Sequence, residues 1–322
     1  MALNPVPIAT TGATHTAQQF RMMVKDLARD QQGVTTGSDL KVTALSTPGA
    51  GVQVSDGSAV IAGKVSPVQG HYSAYNIGTD TVSISATGGS PRSDMLVLRV
   101  EDPQYEGTRD PATDPVVFWE VIPNVSSTAT TVPSGYSAIP LARIDIPAST
   151  ATITNAYIVD LRQVANPRRE RILTPYYYPT ALTEITGTSE TWKTHPALAS
   201  ASPPGAMFKL AVPSWAATAK VIFGCTNLHL ADGYVFGGFR FMLGTVEAAE
   251  WVSIDDNSAG ARRTYIEMIE TIDLTTTAGA AMRGTTQSVY SRMRTRSTNA
   301  GKIGVDGATT FKLDVEFLEG RL

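Results

Sequence analysis

This 322-residue chain is poor in charge. Asp, Glu, Lys and Arg make up 17% of it, below the quarter usual for a globular chain. The formal net charge is −3, which gives no bulk attraction to nucleic acid or to an acidic membrane. A single cysteine, Cys225, excludes an intrachain disulfide framework and fits assembly in a reducing cytoplasm. The four histidines, His15, His71, His195 and His229, are scattered and form no zinc spacing. No apolar run approaches the length of a bilayer span. The start, Met1 to Pro7, lacks the basic region and apolar run of a signal peptide. No cofactor, no nucleic-acid partner and no membrane insertion are expected.

Thr, Ala, Ser and Gly are abundant instead. Small and β-branched residues suit sheets that pack on both faces or against other subunits. The length suggests two domains. The expected fold is all-β with one N-terminal helix and two β-sandwich-like domains, the C-terminal one jelly-roll-like. The expected divisions are an arm and helix over 1–32, a β domain over 33–163, a linker over 164–173 and a C-terminal sandwich over 174–322.

Thr16 is a suitable N-cap for the helix, and Gly33 a suitable stop. Phe20, Met23, Val24 and Leu27 fall at i, i+3, i+4 and i+7. Such a stripe ordinarily faces its own core, so packing on the adjacent sheet is expected. Docking on a neighbouring subunit is the alternative, which would make Phe20, Met23 and Leu27 interface residues.

From Leu40 to Leu161 the period is two. Leu40, Val42 and Ala44 alternate with polar residues, as do Val52 with Val54, Val82 with Ile84, and Ile144 with Ile146. Leu96, Leu98 and Val100 form one face of a further strand, and Val116 to Ile122 is a continuous apolar strand holding Trp119. Gly and Pro turns separate these runs, the pattern of a sandwich or barrel. The charged, proline-containing stretch Val164 to Leu173 breaks the pattern. Tyr176, Tyr177 and Tyr178 follow, and adjacent residues on a strand point to opposite sides, so some should meet another surface. In the C-terminal half, Phe311, Leu313, Val315 and Phe317 alternate with Lys312, Asp314, Glu316 and Leu318.

Most chemical motifs dissolve on inspection. The run Gly57 to Lys64 resembles a phosphate loop, but it holds one intervening residue too many and no Ser or Thr follows the lysine. Cys225 and His229 sit four apart on one strand, where both could point the same way, yet about 13 Å apart along it. Asp255, Asp256 and Asn257 form a short acidic turn without the alternating ligands of an EF-hand. No catalytic residue and no metal ligand is assigned, and the protein is not expected to be an enzyme.

One constellation survives. Tyr290, Arg292, Arg294 and Arg296 alternate with Ser291, Met293 and Thr295, so a strand would place a phenol and three guanidiniums on one face. Stacked like charges repel unless an anion offsets them. Either acids on adjacent strands neutralise a solvated face, or the row meets an anionic polymer or the acidic residues of a neighbouring subunit.

Three stretches of residues 33–162 carry a family resemblance. Gly33, Val34, Gly37, Leu40, Val42 and Thr43 form the first. Arg92, Asp94, Leu96, Arg99, Val100 and Asp102 form the second. Ile153, Thr154, Ala156, Ile158, Asp160, Leu161 and Arg162 form the third. Together they resemble the N-terminal domain of siphophage minor tail and upper baseplate proteins, especially those of actinobacteriophages. The resemblance implies a structural protein of the distal tail, made in the host cytoplasm, that attaches or carries the adhesion module. It implies a cyclic oligomer, with a trimer expected, and contacts with other phage tail proteins. The alternative is a receptor-binding protein whose C-terminal sandwich recognises a host cell-wall glycan. Arg99 and Asp160 are expected to fix loops by hydrogen bonds.

Overall fold

A computed structural model describes residues 11–177, 181–196 and 207–320. It is mostly β, with one N-terminal helix, and the chain divides into two compact units. The first ends at Pro167 and the second runs over Arg168–Gly320.

The first unit holds three antiparallel sheets. One joins Gly33–Val34, Gly57–Ala62 and His71–Asn76, and another joins Val42–Ala44, Gly51–Val54 and Asp80–Ser83. The third has four strands in the order Ile158–Asp160, Ala138–Ile146, Arg92–Val100, Val117–Ile122. The alternating residues meet in one core: Leu40, Val42, Val52, Val54, Leu96, Leu98, Ile144 and Ile146 are all buried there. The sequence pattern predicts a single buried face on Arg92–Val100. The other face is buried too, because Met95 and Val97 form a second cluster with Ala138 and Leu161. Val117–Ile122 is half-buried throughout, with the Trp119 indole N–H donating to Asp80 at 2.7 Å.

The first and third resemblance motifs are joined physically at Arg162. Its side chain is nearly inaccessible, clasps Asp160 at 2.7 Å, and donates to the carbonyls of Gly37 and Asp39. The third motif thereby pins the loop of the first. In the second motif Arg99 is likewise a structural residue, paired with Glu120 at 2.9 Å and lying over the Tyr136 ring.

The helix Ala17–Leu27 begins as expected. Thr16 accepts from the Gln19 N–H, and the Gln19 side chain accepts from the Thr16 N–H. Its orientation departs from expectation. The one buried residue of the helix is Arg21, whose guanidinium donates to the Gln69 carbonyl, Gln104 and Tyr105 and pairs with Asp102 at 3.3 Å. It also lies over the rings of Tyr72 and Tyr105. A buried cation needs all of these partners, and they are available only on the inner side, so the polar face of the helix turns inward. Phe20, Met23 and Leu27 consequently face out, Leu27 with 71% of its surface accessible.

The second unit is a jelly-roll-like sandwich of two six-stranded sheets, between which the chain crosses repeatedly. One sheet runs Arg169–Tyr177, Thr310–Leu318, Thr218–Ala231, Lys302–Val305 and Thr183–Ile185, with Arg262–Asp273 also paired to Thr218–Ala231. The other holds Lys193–Thr194, Thr286–Thr295, Val235–Leu243 and Val246–Glu247, flanked by Phe208–Ala211 and Val252–Asp256. On Thr310–Leu318, Phe311, Leu313, Val315 and Phe317 point inward as their alternation requires. Phe223 sits at the centre, stacked on Phe239 with ring centroids 5.6 Å apart and near Phe241, Phe311 and Phe208.

The stretch 164–173 does not run as a linker. Val164 is buried and bridges Val34 in the first unit. Arg169–Tyr177 is the first strand of the second unit, paired along its length with Thr310–Leu318. The charges that suggest a linker belong to the outer face of this sheet, where Arg169 and Arg171 pair with Glu316 and Asp314. Tyr176 turns into the core against Phe208, Tyr177 turns outward and is exposed, and Tyr178 lies outside the described residues.

Candidate functional site

The arginine row lies on the outer face of the second sheet. Residues opposite each other in an antiparallel pair share a face. Arg294 is opposite Gly238 and Arg292 is opposite both Arg240 and Thr194, which brings Trp192 beside Arg294. Trp251 comes in from the edge, just before Val252–Asp256. Gly238 makes room for both indoles: a Cβ there would stand 2.6 Å from Trp251 and 2.9 Å from Trp192.

The result is a ladder of alternating cations and rings. The Arg240 guanidinium lies 4.2 Å from the Trp192 ring centroid. Arg294 is 4.5 Å from Trp192 and 4.7 Å from Trp251. Arg296 is 5.5 Å from Trp251 and 5.0 Å from Phe236, which stacks on Tyr234. Each cation–ring contact contributes about 0.5–2 kcal/mol, more as water is excluded. The Nε atoms of Arg240, Arg292, Arg294 and Arg296 are buried without a hydrogen-bond partner among the described residues.

Among the described residues two carboxylates pair with the ladder. Glu247 lies 2.5 Å from both Arg240 and Arg292. Glu190 stands 3.8 Å from Arg294 and 3.5 Å from Arg296. Four guanidiniums against two carboxylates leave an excess of two positive charges. Burial, with repulsion from Arg292 and Arg294, holds the Arg240 guanidinium below its ordinary range, while Glu247 pulls the other way. The row is therefore neither bare nor simply solvated: it is sandwiched by aromatic rings and only partly neutralised. Tyr290 stands apart, opposite Met242 and packed against the core.

The rest of the candidate chemistry is dispersed. Cys225 and His229 point to opposite faces, because a bulge at Thr226 and Asn227 reverses the alternation between them. Cys225 is fully buried, and burial pushes its thiol well above the usual range. His229 faces Glu184 at 3.6 Å. Asp255 and Asp256 do not form a turn but end the strand Val252–Asp256, and Asp256 pairs with Arg262. Gly57–Ala62 is one strand of a hairpin with His71–Asn76. No group of three or more His, Cys, Asp or Glu side chains among the described residues is placed to hold a metal ion. No described helix is long and apolar enough to cross a membrane.

Sequence reasoning finds Arg292, Arg294 and Arg296 but misses Trp192, Phe236, Arg240, Glu190, Glu247 and Trp251. One signal is present. On Val235–Leu243 positions 236, 238 and 240 alternate with the buried Phe239 and Phe241, which marks an outward face.

No family model matches the chain, and no curated protein matches it significantly. Among solved structures, infectious bursal disease virus of the Gx strain is similar at 11% identity and a TM-score of 0.26, over 91% of this chain and 75% of that one. The VP2 subviral particle of the same virus is similar at 11% identity and a TM-score of 0.25, over 94% of this chain and 82% of that one. At such TM-scores the backbones do not superpose as one fold, and the likeness carries nothing about function.

Proposed function

We propose that the chain is a structural subunit of a virus particle, placed at the tail tip or baseplate of a tailed phage. In this reading the first unit anchors the chain through self-association and contacts with other tail proteins, as a cyclic trimer, and no catalysis is involved. The observation that carries it is the outward apolar stripe of Ala17–Leu27. Phe20, Met23 and Leu27 are exposed on a helix whose buried residue is an arginine. Exposed apolar side chains aligned on one helix face mark a contact surface, and cyclic symmetry lets a second copy of the chain supply the cover. An 11-residue helix is too short for a whole interface, which needs about 1,200–2,000 Å² in total, so the helix is one part of a larger contact.

The test is the mass of the full chain by light scattering. The wild type is expected to run as a trimer, and Phe20→Ser with Leu27→Glu as a monomer with unchanged circular dichroism. A monomeric wild type, or a double variant that still assembles, overturns the self-association. Labelled antibody on intact virions decides the placement: signal away from the distal tail overturns it.

A second reading, recognition of a host surface glycan by the C-terminal sandwich, is favoured by the arginine–tryptophan ladder and its two-charge excess.

A further inference from the structure

We propose that the Arg294–Arg296 end of the ladder binds a phosphate- or carboxylate-bearing glycan, and that Glu190 occupies this site until the glycan displaces it. The inference rests on the second reading above and adds the site and its occupant.

The two ends of the ladder differ. At one end Glu247 touches Arg240 and Arg292 at hydrogen-bond distance, and Arg292 also donates to the Trp192 carbonyl. That end is closed. At the other end the Glu190 carboxylate stands at or beyond the edge of hydrogen-bond range of both guanidiniums, and its side chain is 52% exposed. Its Oε1 accepts from the Ser297 N–H at 3.0 Å instead. One loosely held carboxylate thus covers two cations, with a single long hydrogen bond beside it, from Arg294 to the Glu190 carbonyl at 3.4 Å, against 2.7 Å for Arg292 on the Trp192 carbonyl. An anion that brings more charge, or that meets a guanidinium in the two-pronged geometry, competes with it on favourable terms.

The surroundings select the class of ligand. Arg294, near the end of the strand Thr286–Thr295, and Arg296, just past it, stand two residues apart, about 6.8 Å in an extended chain, a spacing that successive charges of a repeating polyanion can follow. Glu190 and Glu247 offer acceptors for sugar hydroxyls, which a charged glycan carries beside its anionic groups and an acidic peptide such as polyglutamate lacks. Each indole already carries two guanidiniums, which disfavours the stacking of a nucleobase that single-stranded nucleic acid would need.

The test uses the full chain, with titration calorimetry and tryptophan fluorescence as readouts. The probes are a poly(glycerol phosphate) carrying sugars, polygalacturonate, neutral dextran, polyglutamate and a single-stranded oligonucleotide. Either charged glycan is expected to bind, with phosphate and carboxylate sources distinguished by which of the first two is tighter. Dextran, polyglutamate and the oligonucleotide are expected to bind at least about tenfold more weakly, and binding should weaken as salt rises. Glu190→Gln should tighten glycan binding about three- to tenfold, because it removes the competing charge. Arg294→Gln with Arg296→Gln should weaken it at least about tenfold. If neither charged glycan binds the wild type or Glu190→Gln, the glycan reading itself fails. If a glycan binds but Glu190→Gln leaves its affinity unchanged or lower, the displacement proposal fails while that reading stands. Equal or tighter binding of polyglutamate or the oligonucleotide overturns the choice of ligand.

Discussion

Gly238 lies directly beneath the Trp251 indole, so close that a Cβ at that position would stand 2.6 Å from Cε3. The backbone there is outside the left-handed region, so the constraint is space rather than conformation. Gly238→Ala would have to displace Trp251 and Trp192 together, and with them the seats of Arg294 and Arg240. Overpacking of this kind costs about 1–3 kcal/mol. Urea unfolding should show that loss, with a changed tryptophan emission in the folded state. A variant as stable as the wild type with identical emission would mean that the indoles are not seated over Gly238.

The difference between the two halves of the ladder shows what is legible in the sequence. Arg292 and Arg294 share one strand and Arg296 directly follows its end, and a period of two is visible without knowing any pairing. Trp192, Arg240, Glu247 and Trp251 reach the same face from other segments, and only strand order and register bring them together. The helix illustrates a different limit. Its apolar stripe is correctly periodic, but periodicity alone cannot say which side faces the protein. Arg21 decides that, through partners 48 and 84 residues away along the chain. Strands such as Thr310–Leu318 are legible because they alternate on their own, whereas Arg169–Tyr177 is hidden by charges that its neighbour neutralises.

Arg21 should therefore be a stability residue of the first unit. Arg21→Met leaves Asp102 without its cation, although the Tyr72 hydroxyl still donates to it at 2.7 Å. Breaking such a pair costs about 3 kcal/mol, discounted from the fully buried case because Asp102 keeps some exposure. Adding Asp102→Asn should recover part of the loss, since the uncompensated charge disappears. Additive losses in the double variant would show that the two residues do not act as a pair.

The start of the second unit can be placed by truncation. A chain beginning at Arg168 keeps the whole strand Arg169–Tyr177 and the Arg168–Glu319 pair at 2.7 Å. A chain beginning at Thr174 loses Ile172 from the margin of the core and leaves much of Thr310–Leu318 unpaired on that side. The exposed ion pairs contribute little by themselves, so the loss comes from the uncovered strand edge. The longer fragment should unfold cooperatively and stay soluble, and the shorter should melt lower or aggregate. Equal melting temperatures would move the boundary to Thr174, inside the strand Arg169–Tyr177.

The pH dependence of stability should carry a signature of His195. The residue is buried, its Nε2 has no hydrogen-bond partner among the described residues, and burial pushes its pKa down to about 4 from 6.5. Between those values the unfolded chain binds a proton that the folded chain does not, so stability falls as pH falls through this window. The contribution is fully present above about pH 6.5, and about 3 kcal/mol is lost by pH 4. Asp306 acts lower down. Held at about 2 by the Arg263 guanidinium, against an ordinary 3.8, it contributes stability that is present above 3.8 and lost as pH falls through 2. The two windows meet near pH 4 but do not coincide. The informative quantity is the difference between wild type and His195→Gln. Urea unfolding at half-unit steps from about pH 7 to about pH 4.5 should give a shallower slope in the variant, whatever its stability at neutral pH. Parallel curves would mean that His195 is protonated without cost in the folded protein.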